Sequence, residues 1–269
     1  MDSPLPLAAA PDEFAVLLRR QGLLPHPPGA HAAESLVARH SAPVPTEGTT
    51  ILAFKFADGV LVAGDRRATA GNLLVYDRAD KVLEIDKHSL MAIAGVPATA
   101  WEMARVLEHS FQFYRRSQLA EMSLDGKVRA LSKLLRDNLG YVLQGVGVVV
   151  PIFATFDHDA GLPRLYFYDA MGAQFEAADY AATGSGSPAV RAVLHFEKTW
   201  GRRELRKLKA SDAILLALRA LETAASSDTA TGGVDRRADV FPIVKLITRS
   251  GIATLPDARL AKIFKAKLV

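Results

Sequence analysis

The chain has 269 residues, of which 49% are hydrophobic and 23% charged, and this balance excludes global disorder and permits a sizeable core. It has no cysteine, which excludes a disulfide scaffold, a cysteine-based zinc site and a thiol nucleophile. The net charge of +4 gives no reason to expect a nucleic-acid partner, and no apolar run approaches the roughly 18 residues that a membrane span needs.

Residues 1–48 differ in composition from the rest of the chain. They hold eight of the 14 prolines and carry a net charge of −2, so the remaining residues carry +6. Asp12 can cap a short amphipathic helix with Phe14 and Leu17 on one face, and Gly22 can end it. The first residues lack the positive region of a secretory signal. The sequence therefore predicts a tether with one docking helix rather than a domain.

Strand patterns begin after this leader, in groups separated by pairs of helical patterns. The predicted strands cover residues 50–56, 60–64, 82–85, 90–94, 151–156, 165–168 and 180–183, with a closing hairpin at 241–248 and 252–254. The predicted helices run from Pro97 through Phe113, from Leu124 to Val142, from a cap at Ser187 followed by Pro188, from a cap at Ser211, and from Pro256. The basic run at 201–209 contains no aromatic residue and predicts a solvated face.

The order of these elements decides the fold class. Strands are followed by two helices, more strands, two more helices and a final hairpin, which is not the alternation of a parallel α/β sheet. The order predicts an α+β fold in which two antiparallel sheets pack together between outer layers of helices.

Six short motifs follow the leader, and each alone would be an ordinary turn or loop. They are Gly48-Thr-Thr-Ile51, Gly64-Asp-Arg-Arg67, a lysine 16 residues past that aspartate, Ala94-Gly95, Gly184-Ser-Gly186 and Asp228-Thr-Ala-Thr-Gly-Gly233. In combination, from Thr49 to about Val269, the chain resembles the β-type subunits of the 20S proteasome, most closely the actinobacterial type. Residues 14–24 also resemble the propeptide of such subunits.

The resemblance implies a four-layer αββα N-terminal-nucleophile (Ntn) hydrolase. It further implies that residues 1–48 are a propeptide, removed by autocatalytic cleavage between Gly48 and Thr49, and that residues 49–269 are the catalytic domain of a threonine peptidase. The chemistry is consistent, because a free α-amine with a pKa of about 7.7–8.0 can take the proton of the Thr49 hydroxyl. While Gly48 is attached, that nitrogen is an amide and is not basic, so the precursor is a zymogen.

Further roles around Thr49 follow from the resemblance alone. Lys81 would stabilise negative charge on the threonine oxygen, and Asp65 would fix Lys81 in position. The backbone N–H of Gly95 would donate to the oxyanion. The positions that would form hydrogen bonds around the amine are Ser185, Asp228 and Thr231, the last of which is serine in many relatives.

Substrate would bind as an extended strand between the segments around Thr69 and around Gly95–Pro97. Pro97 stands where relatives use a backbone N–H to hold the substrate, so one hydrogen bond fewer is expected here. The primary pocket would be lined by Ala68, Ala79, Lys81, Ile93, Pro97 and Trp101. No acid is expected at its base, so cleavage after apolar or aromatic residues is predicted, or after small ones if Trp101 narrows the pocket.

The resemblance also implies partners and a location. The chain would form seven-membered β rings that stack against rings of α-type subunits, and it would reside in the cytoplasm. Protein substrates would enter through an ATPase ring. Tagging of those substrates by a small ubiquitin-like modifier is implied in the same way. The seven histidines show no metal-binding spacing, so neither a metal nor another cofactor is expected.

Three alternatives stay open: a noncatalytic ring subunit, a simpler two-ring protease of the same fold, and a non-proteolytic Ntn amidohydrolase.

Overall fold

The structure, a computed structural model, describes residues 48–70, 73–235, 238 and 240–266. The predicted helix of the leader and all but the last residue of the predicted propeptide lie outside the described residues. Within the described part of the chain, no helix is long and apolar enough to cross a membrane.

The described residues form strands and helices close to those predicted. The strands are β1 (Thr50–Phe56), β2 (Gly59–Gly64), β3 (Ala68–Ala70), β4 (Leu73–Tyr76), β5 (Val82–Asp86), β6 (Ser89–Ala92), β7 (Ile152–Asp157), β8 (Leu162–Tyr168), β9 (Gln174–Glu176), β10 (Tyr180–Gly184), β11 (Ile243–Thr248) and β12 (Gly251–Thr254). The helices are α1 (Pro97–Gln118), α2 (Leu124–Asp137), α3 (Leu139–Leu143), α4 (Ser187–Trp200), α5 (Ala210–Ser227) and α6 (Asp257–Ala266), with a 3₁₀ turn at Leu205–Lys207.

Ten of these strands form two antiparallel five-stranded sheets. The first sheet has the order β10-β1-β2-β11-β12 and the second has the order β5-β6-β7-β8-β9, while β3 and β4 pair separately. Helices α4, α5 and α6 pack on the outer side of the first sheet, and α1 and α2 pack on the outer side of the second. This arrangement confirms the predicted αββα sandwich.

Alternation along β1 shows how one strand serves two layers. Ile51 and Ala53 face the second sheet and join the core between the sheets, whereas Leu52 and Phe54 face the helices and join the outer core. Because successive side chains point to opposite faces of a sheet, a strand segment that is covered on both sides is apolar on both faces. The apolar run at residues 51–54 of this strand therefore follows from its central position.

Three local predictions need correction. The helix predicted from Leu124 to Val142 is divided at Asn138, whose side-chain amide donates to the carbonyl of Gly147 over 2.6 Å and turns the chain. Ser211 is not a cap, because α5 begins one residue earlier and the N–H groups of residues 212 and 213 already bond to the carbonyl of Lys209. Ser187 is the first residue of α4, and the cap position is Gly186.

Three strands were not predicted, namely β3, β4 and β9. Strand β4 is apolar but exposed at every position, so its residues lack the alternation by which a half-buried strand is recognised. The basic run at 201–209 is largely exposed and lies in a loop and the 3₁₀ turn, which confirms the predicted solvated face.

Candidate active site

The motif residues converge at one end of the two sheets. Thr49 precedes β1, Asp65 follows β2 and Ser185 follows β10, and these three strands are neighbours in the first sheet. In an antiparallel sheet the start of one strand lies beside the ends of its neighbours. The register agrees, since Thr50 pairs with Gly184 and Ile51 pairs with Gly64. Lys81 and Gly95 reach the same end from the second sheet, where they precede β5 and follow β6.

Asp65 accepts four hydrogen bonds at this end of the sheets. It is fully buried, and its Oδ1 accepts hydrogen bonds from the backbone N–H of Thr50 at 2.9 Å and from the Lys81 ammonium at 2.8 Å. Its Oδ2 accepts from the backbone N–H groups of Arg67 at 2.9 Å and Gly232 at 3.0 Å. Four donors surrounding one carboxylate fix its orientation.

Lys81 has a second anchor that sequence reasoning did not identify. The carbonyl of Arg67 accepts a hydrogen bond from the Lys81 ammonium. The guanidinium of Arg67 in turn donates to the carbonyl of Thr229 at 2.7 Å, so it connects the Gly64–Arg67 motif to the Asp228–Gly233 motif. The repeated arginine of the Gly-Asp-Arg-Arg motif was the signal available in the sequence, but a backbone acceptor cannot be read from residue type.

Ser185, Asp228 and Thr231 form one hydrogen-bonded group. The hydroxyls of Ser185 and Thr231 both donate to Oδ2 of Asp228, at 2.6 and 2.5 Å, and the N–H of Ala230 donates to Oδ1 at 3.0 Å. Partial burial raises the pKa of Asp228, but these hydrogen bonds together with the nearby charge of Arg67 lower it further, and the result is a pKa below the usual value. Asp228 is therefore ionised at neutral pH.

Thr50 extends this group toward Thr49, although no role was predicted for it. Its fully buried hydroxyl accepts from the N–H of Gly186 at 2.9 Å and lies 2.5 Å from the hydroxyl of Thr231. A hydroxyl has one proton to donate, and that of Thr231 is used on Asp228, so Thr50 is the donor to Thr231. The second threonine of the Gly-Thr-Thr-Ile motif was the signal in the sequence.

Thr49 itself lies beside these groups and is only 5% exposed. Its carbonyl accepts a hydrogen bond from the N–H of Ser185 at 3.0 Å. The preceding residue is tightly packed, because a Cβ added to Gly48 would come within 1.9 Å of the Cβ of Ala230. The N–H of Gly48 donates to the hydroxyl of Thr69 at 3.3 Å, so the chain that enters Thr49 runs alongside β3.

Gly95 has a backbone conformation that requires glycine. Its φ angle is +112°, and an added Cβ would lie 2.0 Å from the carbonyl oxygen of Val148. The segment is fixed on both sides, since the N–H of Val96 donates to Val148 and that of Val150 donates to Ala94, each at 2.8 Å. The site thus has a rigid backbone segment where the oxyanion donor was predicted.

A cleft of about 390 Å³ opens beside Thr49, and its wall contains all six residues predicted to line the primary pocket. Thr69 and Gly95 also line it. Five further wall residues were not named from the sequence, namely Val75, Tyr76, Asp80, Val96 and Ala98. Val75 and Tyr76 belong to the unpredicted strand β4, which explains their omission. Asp80 places a carboxylate in a wall for which no acid was expected.

Pro97 is the first residue of α1 as the sequence predicted, and it lies in the same cleft wall. Proline at this helix position loses nothing, since the first N–H groups of a helix have no partner within the helix. Among the described residues, no group of three or more His, Cys, Asp or Glu side chains could hold a metal ion.

These contacts define the chemistry that is available. A buried threonine and an ammonium held by a carboxylate line one cleft, and a set of hydroxyls around a second carboxylate lies at the same end of the sheets. This is an arrangement for nucleophilic attack by a hydroxyl and stabilisation of the negative charge that develops. While Gly48 remains attached, the nitrogen of Thr49 is an amide, so a base is formed there only when the bond between them is cut.

Comparison with known proteins gives a consistent result. The family profile described as "Proteasome subunit" matches residues 46–238. "Proteasome subunit beta 2" of Thermomonospora curvata is 40% identical over 224 residues, which cover 83% of this chain and 78% of that protein. "Proteasome subunit beta" of Acidimicrobium ferrooxidans is 38% identical over 250 residues, 88% of this chain and 89% of that protein. The protein of the same name from Streptomyces griseus is 37% identical over 241 residues, 90% of this chain and 82% of that protein.

Proposed function

This chain belongs to the family of bacterial proteasome β subunits, proteins of a proteasome-type protease, and on that premise we propose that it is a catalytic subunit with Thr49 as its nucleophile. One observation carries the proposal: the buried carboxylate of Asp65 holds the Lys81 ammonium at the cleft that Thr49 lines. A noncatalytic subunit has no need to bury an ion pair at this point, because such pairs are costly to desolvate and often add no stability.

The proposed maturation begins with an attack within the chain. The Thr49 hydroxyl oxygen adds to the carbonyl carbon of Gly48, the acyl group moves from nitrogen to oxygen, and water hydrolyses the resulting ester. Residues 1–48 leave as a propeptide, and the nitrogen of Thr49 becomes a free amine. Gly48 suits this step because it presents no side chain to the attacking oxygen, and its close packing against Ala230 supports a requirement for glycine.

The proposed peptidase cycle uses the new amine as its base. The hydroxyl oxygen of Thr49 attacks the carbonyl carbon of a substrate peptide bond while its proton passes to the amine. The amine gives that proton to the leaving nitrogen, the C–N bond breaks, and an ester to Thr49 remains. A water molecule then transfers a proton to the amine and adds to the ester carbonyl, and cleavage of the C–O bond restores Thr49.

Individual residues have distinct roles in this cycle. The Lys81 ammonium stabilises charge on the threonine oxygen, and Asp65 positions that ammonium. The N–H of Gly95 is the proposed donor to the oxyanion. The ionised Asp228, with its two hydroxyl partners, would hold the protonated amine and so support its return as a base.

Family membership implies assembly with α-type subunits into proteasome rings. Beyond this we propose seven-membered β rings, access controlled by an ATPase ring, protein substrates degraded inside the closed chamber, and a cytoplasmic location. Enclosure agrees with the zymogen proposal, since a peptidase that becomes active only after assembly cannot attack free proteins.

Intact-mass measurement after co-expression with an α-type subunit tests maturation and nucleophile together. We expect a β chain that begins at Thr49 and hydrolyses fluorogenic peptides, and an uncut, inactive chain for the Thr49→Ala variant. A Thr49→Ala chain that is still cut at residue 48, or a correctly cut and assembled wild type that hydrolyses no peptide in a broad panel, would contradict the proposal.

A further inference from the structure

The wall of the cleft beside Thr49 contains two charged side chains, Asp80 and Lys81. Lys81 is neutralised by Asp65, with which it forms a buried ion pair. Asp80 differs from Lys81 because its side chain is 49% exposed. It is the residue that follows Ala79, one of the predicted pocket residues. An uncompensated carboxylate in a substrate cleft attracts cationic side chains, so the balance of charge at Asp80 bears on which peptides the site accepts.

A lysine from the other sheet supplies that balance. Lys245 lies on β11 with its side chain directed between the sheets, where it is only 5% exposed. Its ammonium lies 3.5 Å from Oδ2 of Asp80 and 3.2 Å from Oε1 of Glu84. A lysine is rarely buried to this extent without such partners, because the charge must be compensated.

The carboxylate of Asp80 is also fixed in orientation. Its Oδ1 accepts a hydrogen bond from the backbone N–H of Val82 at 2.9 Å, and the other oxygen is the one nearest Lys245. Glu84 is shared between Lys245 and the hydroxyl of Thr254. Lys245 therefore balances Asp80 from behind the cleft wall, while Glu84 is not among the cleft residues.

We propose that Lys245 is a specificity-determining residue: it neutralises Asp80 and thereby keeps the cleft selective for apolar rather than cationic side chains. Lys245 does not contact the reacting atoms and acts through Asp80. Its removal leaves a net negative wall, which raises the acceptance of arginine or lysine at the cleaved residue. This inference rests on the proposed peptidase function.

The test compares two fluorogenic peptides that differ only at the cleaved residue, Leu or Arg, using the assembled and processed particle. For Lys245→Gln, which removes the charge and keeps an amide donor, the Arg-to-Leu ratio of kcat/KM is expected to rise about three- to tenfold over wild type at low salt. The rise should shrink as ionic strength increases, because salt screens an exposed carboxylate. Adding Asp80→Asn to Lys245→Gln should return the ratio to near the wild-type value.

Matched variants separate charge from stability. Lys245→Arg keeps the charge and should keep the ratio, whereas Glu84→Gln removes the carboxylate that competes with Asp80 for Lys245 and should not raise the ratio. Lys127→Met removes another buried lysine, which is paired with Asp86 at 2.7 Å, and should lower stability with no effect on the ratio.

An unchanged ratio in an active Lys245→Gln particle at low salt would overturn the inference. If that variant fails to assemble, Asp80→Asn alone gives the converse test, since the wall then becomes more positive and the ratio must fall; an unchanged ratio there would also overturn it. Failure of the proposed function is a separate result, in which the processed wild-type particle cleaves neither peptide nor any other in a panel.

Discussion

Asp65→Asn is the substitution that most directly tests the buried end of the site. Asparagine has nearly the shape of aspartate, but one of its oxygens becomes an NH₂ group. All four hydrogen bonds at Asp65 come from donors, two on each oxygen. Whichever way the amide is turned, its NH₂ group therefore faces two other donors, and Lys81 loses the charge that balances it.

The cost can be bounded from these contacts. Each buried donor left without an acceptor costs about 1–3 kcal/mol. Removing one partner of a buried ion pair costs about 3–5 kcal/mol, which includes the penalty of leaving the other charge unpaired. The two estimates overlap, because one donor group is the Lys81 ammonium itself. We expect Asp65→Asn to lower the free energy of unfolding by about 3–5 kcal/mol, a large part of the 5–15 kcal/mol typical of a domain.

Chemical unfolding in urea, followed by circular dichroism, measures this loss. All variants should carry Thr49→Ala, so that processing is prevented and every chain has the same length. A double-mutant cycle with Lys81→Met isolates the ion pair, because the double variant removes both charges at once. We expect the double variant to be at least about 2 kcal/mol more stable than the sum of the two single losses predicts.

Additive losses, within about 0.5 kcal/mol, would refute the reasoning, because they would mean that neither group depends on the other. A loss below about 1 kcal/mol for Asp65→Asn alone would also refute it, since that is no more than the loss of one ordinary hydrogen bond. The conservative control is Ser89→Ala, a buried hydroxyl away from the cleft whose loss should cost no more than about 1–3 kcal/mol and show no coupling to Lys81.

Three further predictions concern processing, pH and substrate binding. Gly48→Ala should slow the removal of residues 1–48 in an intact-mass time course, because the new Cβ meets the Cβ of Ala230. Adding Ala230→Gly should restore much of the rate. Equal rates for the single and the double variant would count against this prediction. The pKa of Asp228 is lowered, so its carboxylate stabilises the folded state above about pH 4, and this stabilisation is lost as the pH falls through the folded-state pKa. The difference in unfolding free energy between wild type and Asp228→Asn should therefore narrow between pH 5 and about pH 3 in urea titrations. A difference that stays constant with pH would contradict this prediction. Pro97→Ala restores a backbone N–H and should lower KM for peptides by about two- to tenfold, whereas an unchanged or higher KM would argue against the missing hydrogen bond.

The layers of the fold could be predicted from sequence because they depend on local patterns. The strand and helix order alone distinguished two antiparallel sheets from a parallel one, and the structure confirms it. The hairpin between β1 and β2 also follows from a local pattern, since Asp58-Gly59 is a turn signal between two apolar runs. The break at Asn138 could not be predicted, because it depends on a hydrogen bond to Gly147, a residue whose place in space is set only when the loop after α3 has folded.

In the site, too, some residues could be predicted from local motifs, whereas others are recognised only by their contacts in the structure. The spacing of the motifs was sufficient to select Thr49, Asp65 and Lys81, and the structure brings them to one end of the sheets. Thr50 and Asp80 were missed for a different reason. Thr50 matters because its hydroxyl contacts that of Thr231, 181 positions away. Asp80 matters because it lies beside Lys245, which belongs to the other sheet. Such contacts leave no local pattern in the sequence.

The charged groups between the two sheets help to fix the position of one sheet relative to the other. The interface between the sheets is apolar, and burial of apolar area is non-directional, so it holds the sheets together without fixing their relative position. Ion pairs of described residues bridge the interface with defined geometry, Asp65 with Lys81 at one point and Lys245 with Asp80 and Glu84 at another. Because Thr49 is carried by the first sheet and Lys81 by the second, any slip between the sheets would separate the proposed nucleophile from the ammonium that lines the same cleft. The bridging pairs therefore serve the geometry of the site more than the stability of the fold, since a buried pair adds little net stability and much directional preference.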